Sequence, residues 1–217
     1  MRLVDLTQTI SEDMPVYPGT EKPKLPIVNT LEEHGFIETL LTMYSHTGTH
    51  MDTPGHLLAG KMMLDDMPIT HFAGKGLVIN ATDRKAGEKI TIDYINKVKD
   101  KADKADFLLF RTDWDKYWEN EEKYFGDYPV IDDDIIKYII DTKKKGVGFD
   151  YIGIDPMWDE ALTLHKKLFN VMDIVIIENL TNLGQCGDDI FLFCALPLKY
   201  KNSDGAPVRS IGILDVL

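Results

Sequence analysis

Basic charge, cysteine and long apolar runs are what this chain has least of. Among its 217 residues, 24 Lys and Arg face 36 Asp and Glu, for a formal net charge of −12. That balance repels polyanions and anionic surfaces, so neither nucleic acid nor a membrane surface is an expected partner. No run of about 18 apolar residues exists to span a bilayer. The chain passes directly from Met1 and Arg2 into Leu3, Val4 and Asp5, with no apolar targeting stretch. Two cysteines, Cys186 and Cys194, are too few for a disulfide scaffold or a thiolate-rich zinc module. Cys194 sits in the apolar run IFLFCALP and reads as a buried free thiol. A reducing cytoplasm is the expected location. The content of 44% hydrophobic and 28% charged residues is that of a globular protein, and residues 1–217 suit one domain with a substantial core.

Histidine is scarce too, and its distribution is uneven. Of six histidines, His46, His50 and His56 fall with Asp52 in the stretch SHTGTHMDTPGH, Ser45 to His56. Imidazole and carboxylate are ligands that zinc and manganese accept. The i, i+4 spacing of His46 and His50 would suit one face of a helix, but Gly48 and Pro54 argue against a helix here. A strand running into a tight loop is the better reading. In extended backbone His50 and Asp52 project to the same side. Four ligand-competent groups with Gly and Pro punctuation point to a metal site far more strongly than a lone HxD pair would.

The remaining pattern mixes strands and helices without strict alternation, which favours α/β or α+β with a mixed sheet. Arg2–Leu6, Phe36–Tyr44, Gly76–Ala81, Phe107–Phe110, Tyr151–Ile154, Val171–Ile177, Phe191–Leu196 and Val208–Leu217 read as strands. Thr91 can cap a helix to about Lys104. The clearest helix is Asp132–Lys145, with acids at its start, lysines at its end and Gly146 at the stop position.

Local groups alone do not fill a coordination sphere, so further ligands must come from afar. His165 is the only histidine of the C-terminal half, and Glu178 ends the apolar run DIVII. Each also has an ordinary reading, as an exposed helix residue and as a solvated strand-end carboxylate.

The segment HTGTHMDTPGH resembles the HxGTHxDxPxH signature of the cyclase-like metal hydrolases, a family that includes bacterial kynurenine formamidase and isatin hydrolase. PVYPG at Pro15–Gly19, FRTDW at Phe110–Trp114, Leu164–His165 with Glu178–Leu180, and the C-terminal PLKYKNSDGAPVRSIGIL resemble further stretches of that family, in order along nearly the whole chain. The resemblance implies that His46, His50 and Asp52 hold a first ion, and that Asp52 bridges to a second ion held by His165 and Glu178. It implies that His56 is the catalytic histidine, that the fold is a swivelling β/β/α type with a mixed sheet, and that the protein assembles as a homodimer or homotetramer. Thr20, where the family's loop often carries an acid, and Trp158, in the altered segment DPMWDE, depart from the family at positions that bear on substrate.

The implied activity is hydrolysis of a small-molecule amide by water activated on one or two Zn²⁺ or Mn²⁺ ions. An aryl formamide such as N-formylkynurenine and a cyclic amide both fit. A rival arrangement of the same side chains is a non-haem iron oxygenase with His50, Asp52 and His165 as a two-histidine-one-carboxylate triad; it leaves His46 and His56 without a role. A structural metal module is the non-enzymatic alternative. Trp114, Tyr117 and Trp118 could line an aromatic pocket or pack in the core, and Arg111 and Arg209 could anchor a carboxylate or pair with nearby acids.

Overall fold

The computed structural model describes residues 1–216; Leu217, the last residue of the expected terminal strand, lies outside the described residues. In chain order the first strands are β1 (Arg2–Asp5), β2 (Ile27–Asn29), β3 (Glu38–Thr39), β4 (His50–Asp52), β5 (Ala73–Asn80) and β6 (Lys89–Ile90). They are followed by β7 (Phe107–Arg111), β8 (Val130–Ile131), β9 (Gly146–Phe149), β10 (Val175–Glu178), β11 (Phe191–Pro197) and β12 (Gly205–Leu214). Eight of them form the main sheet in the order β1-β12-β11-β5-β7-β9-β10-β4, and β4 pairs again with β12. All but β1 therefore close into a barrel. Its β5-β7-β9-β10 portion is parallel, and the remaining pairings are antiparallel. The expected α/β class with a mixed sheet is the observed one.

Alternation along the strands explains why the chain needs two cores. Val78, Phe107, Leu109, Val175, Ile177 and Phe193 pack in one cluster. Their neighbours Leu77, Ile79, Leu108, Phe110 and Ile176 pack in the other, with the helices. A parallel strand covered on both faces has no solvent side, which is why FLLF and VII are continuous apolar runs. Each fully buried side chain of this size contributes roughly 1.5–3 kcal/mol.

The same period of two places the histidine segment. Met51 belongs to the cluster with Val175 and Ile177, so His50 and Asp52 on either side of it face the opposite way. Strand β4 lies between β10 and β12. Asp52 is opposite Ile176 and Gly205, and His50 is opposite Glu178 and Pro207.

Several expected elements are corrected. Phe36–Tyr44 is not one continuous strand: only Glu38–Thr39 pairs, with Ile27–Asn29 in a two-stranded ribbon. Ile27, Leu31, Phe36, Ile37, Leu40 and Leu41 on this arm are all more than half exposed. The helix from Thr91 breaks into Asp93–Asn96 and Lys99–Ala102. The helix expected over Asp132–Lys145 starts with Asp132 accepting the Ile135 amide at 2.9 Å, but it ends at Asp141. Lys143 takes a left-handed conformation there (φ 52°). Lys144 is buried and donates to the carbonyls of Ala102 and Ala105, so it is a structural strut and not a solvated helix-end charge. Gly146 then opens β9, while Tyr151–Ile154 is not a strand.

Trp114, Tyr117 and Trp118 pack against the helix-side core. Arg111 pairs with Asp113 at 2.6 Å and Arg209 with Asp5 at 2.6 Å. Both cysteines are free. No helix among the described residues is long and apolar enough to cross a membrane.

Candidate metal centre

The turn before β4 is shaped by Gly48, whose φ of +65° suits a residue without a side chain. Its carbonyl accepts from His50 Nδ1 at 2.9 Å and from Asn179 Nδ2 at 2.8 Å. That leaves His50 Nε2 pointing inward, 3.4 Å from both Asp52 Oδ1 and Glu178 Oε2. The pairing of β4 with β10 makes this contact unavoidable, since His50 and Glu178 are direct cross-strand partners.

His165 arrives on the helix Thr163–Phe169. The Asp155 carboxylate accepts the amides of Leu164 and His165 at 2.5 and 3.1 Å, and it also takes His165 Nδ1 at 2.6 Å. His165 Nε2 is thereby aimed at Asp52 Oδ2 and Glu178 Oε1, each 3.4 Å away. His46 Nδ1 lies 2.6 Å from Asp52 Oδ1, and its Nε2 lies 3.1 Å from Asp204 Oδ2.

All five sequence-predicted ligand residues thus meet at one place. Two overlapping half-sites result, His46–His50–Asp52 and Asp52–His165–Glu178, joined by the two oxygens of Asp52. His56 stands beside them. Its ring centroid is 4.1 Å from that of His46, and its Nδ1 is 3.5 Å from Asp204 Oδ2.

The donor set suits a metal. Two nitrogen or oxygen ligands about 2.0–2.1 Å from a tetrahedral ion are separated by about 3.4 Å, which is the spacing of four of these contacts. Each of the three histidines gives one nitrogen to the centre and the other to an acceptor (Asp204, the Gly48 carbonyl, Asp155), the arrangement that orients metal-binding imidazoles. Glu178 Oε1 is buried without a hydrogen-bond partner. An unpaired buried carboxylate oxygen is costly unless a cation neutralises it.

In the absence of metal, protons fill that role. Burial opposes a charged His46, but Asp52 and Asp204 outweigh it and raise the imidazole to about 9. His50 and His165 are raised by the same contest of burial against carboxylates. Asp52, despite burial, is held well below the usual carboxylate range by His46, His50 and His165. His56 goes the other way: burial lowers it, with Asp52 and Asp204 opposing.

A cleft of about 590 Å³ opens onto these groups, walled by the Met14–Thr20 loop, Tyr44, Tyr128, Ile152 and Met157. Sequence reasoning missed three contributors. Asp155 and Asp204 lie in stretches that were compared with the family, DPMWDE and PLKYKNSDGAPVRSIGIL, but neither was singled out as a site residue. Gly205 matters because an added Cβ would stand 2.5 Å from His46 Cε1.

With this geometry in hand, comparison with known proteins is direct. Residues 4–156 match the Cyclase family model, described as "Putative cyclase". The chain belongs to the cyclase family. It is 35% identical to an uncharacterized protein of Methanocaldococcus jannaschii, over 99% of this chain and all of that protein. It is also 29% identical to the kynurenine formamidase of Bacillus anthracis, over 96% of this chain and 95% of that one. Isatin hydrolase A from Ralstonia solanacearum shares the fold of this cyclase-family chain, with a TM-score of 0.85 at 22% identity, covering 97% of this chain and 91% of that one. A predicted metal-dependent hydrolase from Bacillus stearothermophilus superposes with a TM-score of 0.77 at 27% identity, covering 97% of each chain.

Proposed function

We propose that this cyclase-family protein is a metal-dependent hydrolase that cleaves a carbon–nitrogen bond of a small amide. The observation that carries the reading is the pair of half-sites sharing Asp52, with the ligand-type nitrogens and oxygens converging inward and every outward histidine nitrogen on an acceptor. Divalent ions held there, zinc or manganese by donor chemistry, would supply a water of lowered pKa and polarise the substrate carbonyl. His46, His50 and Asp52 would hold one ion; Asp52, His165 and Glu178 would hold the other.

The protein's own groups do the rest. His56 lies at the cleft wall and takes a proton from the attacking water, then returns it to the leaving nitrogen. Such general acid–base transfer is worth typically ~10²–10⁴-fold. Because burial lowers its pKa, His56 is a free base near neutrality. Tyr44, Tyr128 and Ile152 give the cleft a wall suited to an aryl group. That favours an aryl formamide, N-formylkynurenine among them, or a ring-fused cyclic amide. The kynurenine formamidase and isatin hydrolase relatives support this class of substrate. An oxygenase triad of His50, Asp52 and His165 would leave Glu178 and His46 pointing into the same centre unused.

The exposed ribbon β2–β3 supports a second reading, of assembly. A lone two-stranded ribbon is marginal in water, and this one exposes core-like residues such as Leu31, Ile37 and Leu41. A second copy of the chain is the occupant we assign to it, giving a homodimer or a larger even assembly.

The test is a panel of formanilide, lactam and lactone substrates with zinc- or manganese-loaded protein, before and after chelation and under anaerobic conditions. Hydrolysis that needs metal but not O₂ is expected. Loss of turnover without O₂ would support the oxygenase, and turnover by metal-free protein would remove the metal from the mechanism.

A further inference from the structure

One side chain touches both the centre and its neighbouring base, and the sequence did not single it out. Asp204 immediately precedes β12, where its carbonyl accepts the Thr53 amide at 3.3 Å and ties it to the end of β4. Its carboxylate accepts from Ser45 Oγ, 3.3 Å from Oδ2, and Tyr200 Oη lies 3.2 Å from Oδ1, an alternative acceptor for its single proton. Tyr200 is in turn anchored on the Gly205 carbonyl at 2.5 Å. Oδ2 is hydrogen-bonded to His46 Nε2 at 3.1 Å and also faces His56 Nδ1 at 3.5 Å, within ion-pair reach of that ring. The two ring centroids are 4.1 Å apart with planes tilted by 40°, so the two imidazoles pack against each other beside Asp204.

We propose that Asp204 is the positioning residue for His56: it accepts the Nδ1 proton of that imidazole, fixing the tautomer whose Nε2 is the free base in the cleft. The inference rests on the hydrolase reading for its kinetic consequence but not for its structural one. In the reaction the Nδ1 proton stays in place. A water proton moves to Nε2 as the new C–O bond forms, and it leaves on the amine nitrogen as the C–N bond breaks. Without Asp204 the imidazole is free to carry its single proton on Nε2, where it can no longer accept. A carboxylate behind a histidine acts in this way by tautomer and orientation, without itself becoming protonated. Asp204 also backs a ligand histidine, so a loss of activity alone would not separate the two roles.

Two measurements do. The first is the ¹⁵N long-range correlation spectrum of the histidine rings in zinc-loaded protein, with His56 assigned from His56→Gln. The expected wild-type pattern is the Nδ1–H tautomer, and Asp204→Asn should shift His56 towards Nε2–H. An unchanged His56 pattern in that variant overturns the proposal, whatever the enzyme's substrate proves to be.

The second is a double-mutant cycle on a slow amide substrate at saturating zinc. Asp204→Asn should lower kcat at least about 10-fold with little change in KM, a part of the ~10²–10⁴-fold worth of the base. It should cost less than about 2-fold in the His56→Gln background, because non-additivity marks residues that act as a unit. An equal loss in both backgrounds would assign Asp204 to His46 and the metal alone. If Asp204→Asn does not fold, Ser45→Ala with Tyr200→Phe loosens the carboxylate without removing it. A smaller kcat loss that again vanishes in His56→Gln is then expected, and persistence there overturns the proposal.

Discussion

Replacing Gly205 by alanine adds one methyl group and tests how tightly the centre is built. The new Cβ would lie 2.5 Å from His46 Cε1, 2.7 Å from Nε2 and 3.0 Å from Nδ1. Ordinary contact begins at 3.4 Å, so the ring must retreat by 3.4 − 2.5 = 0.9 Å. It has nowhere to go: Asp52 stands at 2.6 Å, Asp204 at 3.1 Å, the His56 ring at 4.1 Å and the His50 ring at 5.2 Å. Metal–ligand distances tolerate only about 0.2 Å. A shift of this size therefore takes His46 Nδ1 out of any shared coordination sphere and stretches its bond to Asp204. Losing an orienting contact alone typically costs 10–100-fold in metal affinity, and displacing the ligand itself should cost at least the upper end. We expect zinc affinity of Gly205→Ala to fall by about 100-fold, or about 2.7 kcal/mol. Competition against a chromophoric chelator measures this without reference to any substrate. Circular dichroism should be unchanged, because Gly205 is paired in β12 with an ordinary φ. Zinc binding as tight as in the wild type, with the fold intact, would refute the packing argument and His46 as a ligand with it.

Further outcomes follow from the same contacts. Asp155→Asn leaves His165 Nδ1 and two helix amides with a weaker acceptor, so metal affinity should drop about 10–100-fold while His56 is untouched; equilibrium dialysis against zinc checks it. In chelator-treated protein, His46 is raised from 6.5 to about 9. Its charged form stabilises the native state fully below pH 6.5, and that contribution is lost as pH rises through 9. The melting temperature of the metal-free protein should fall across that window, and a flat profile would contradict the coupling to Asp52 and Asp204. Metal loading replaces those protons, so zinc binding should release protons and weaken as pH drops. Ile37→Asp with Leu41→Asp on the exposed ribbon should halve the mass seen by light scattering, and an unchanged mass would show that the ribbon is not the contact.

The parts of the centre that are local in the chain were legible, and the parts assembled by barrel closure were not. His46, His50, Asp52 and His56 sit within eleven residues, so their type and spacing point to the proposed metal site before any fold is known. His165 and Glu178 are 113 residues or more from Asp52 in the chain (165 − 52 = 113). They were candidates from residue type and position, given a role only by resemblance, and the structure shows how Glu178 arrives: β10 lies next to β4 with Glu178 opposite His50. Asp155 and Asp204 lay inside family-related stretches without being singled out, because an Asp-Pro or Asp-Gly pair looks the same whether it caps a helix, orients a histidine or does neither. The Phe36–Tyr44 segment was misread for a physical reason. Apolar and β-branched residues signal a strand, and composition does not distinguish a strand of the main sheet from an exposed two-stranded ribbon. Lys144 is the converse, a charge assigned to a helix end that the fold buries as a hydrogen-bond donor to two carbonyls.

Elemental analysis combined with amide hydrolysis on one preparation tests the central claim most directly. Protein stripped by chelation and reloaded with zinc or manganese should take up metal in proportion to recovered turnover. Glu178→Gln should lose affinity at the half-site it shares with Asp52 and His165, and turnover should fall with it. Full hydrolytic activity in a stripped, metal-free preparation, or metal uptake unaffected by loss of both Asp52 and Glu178, would contradict it.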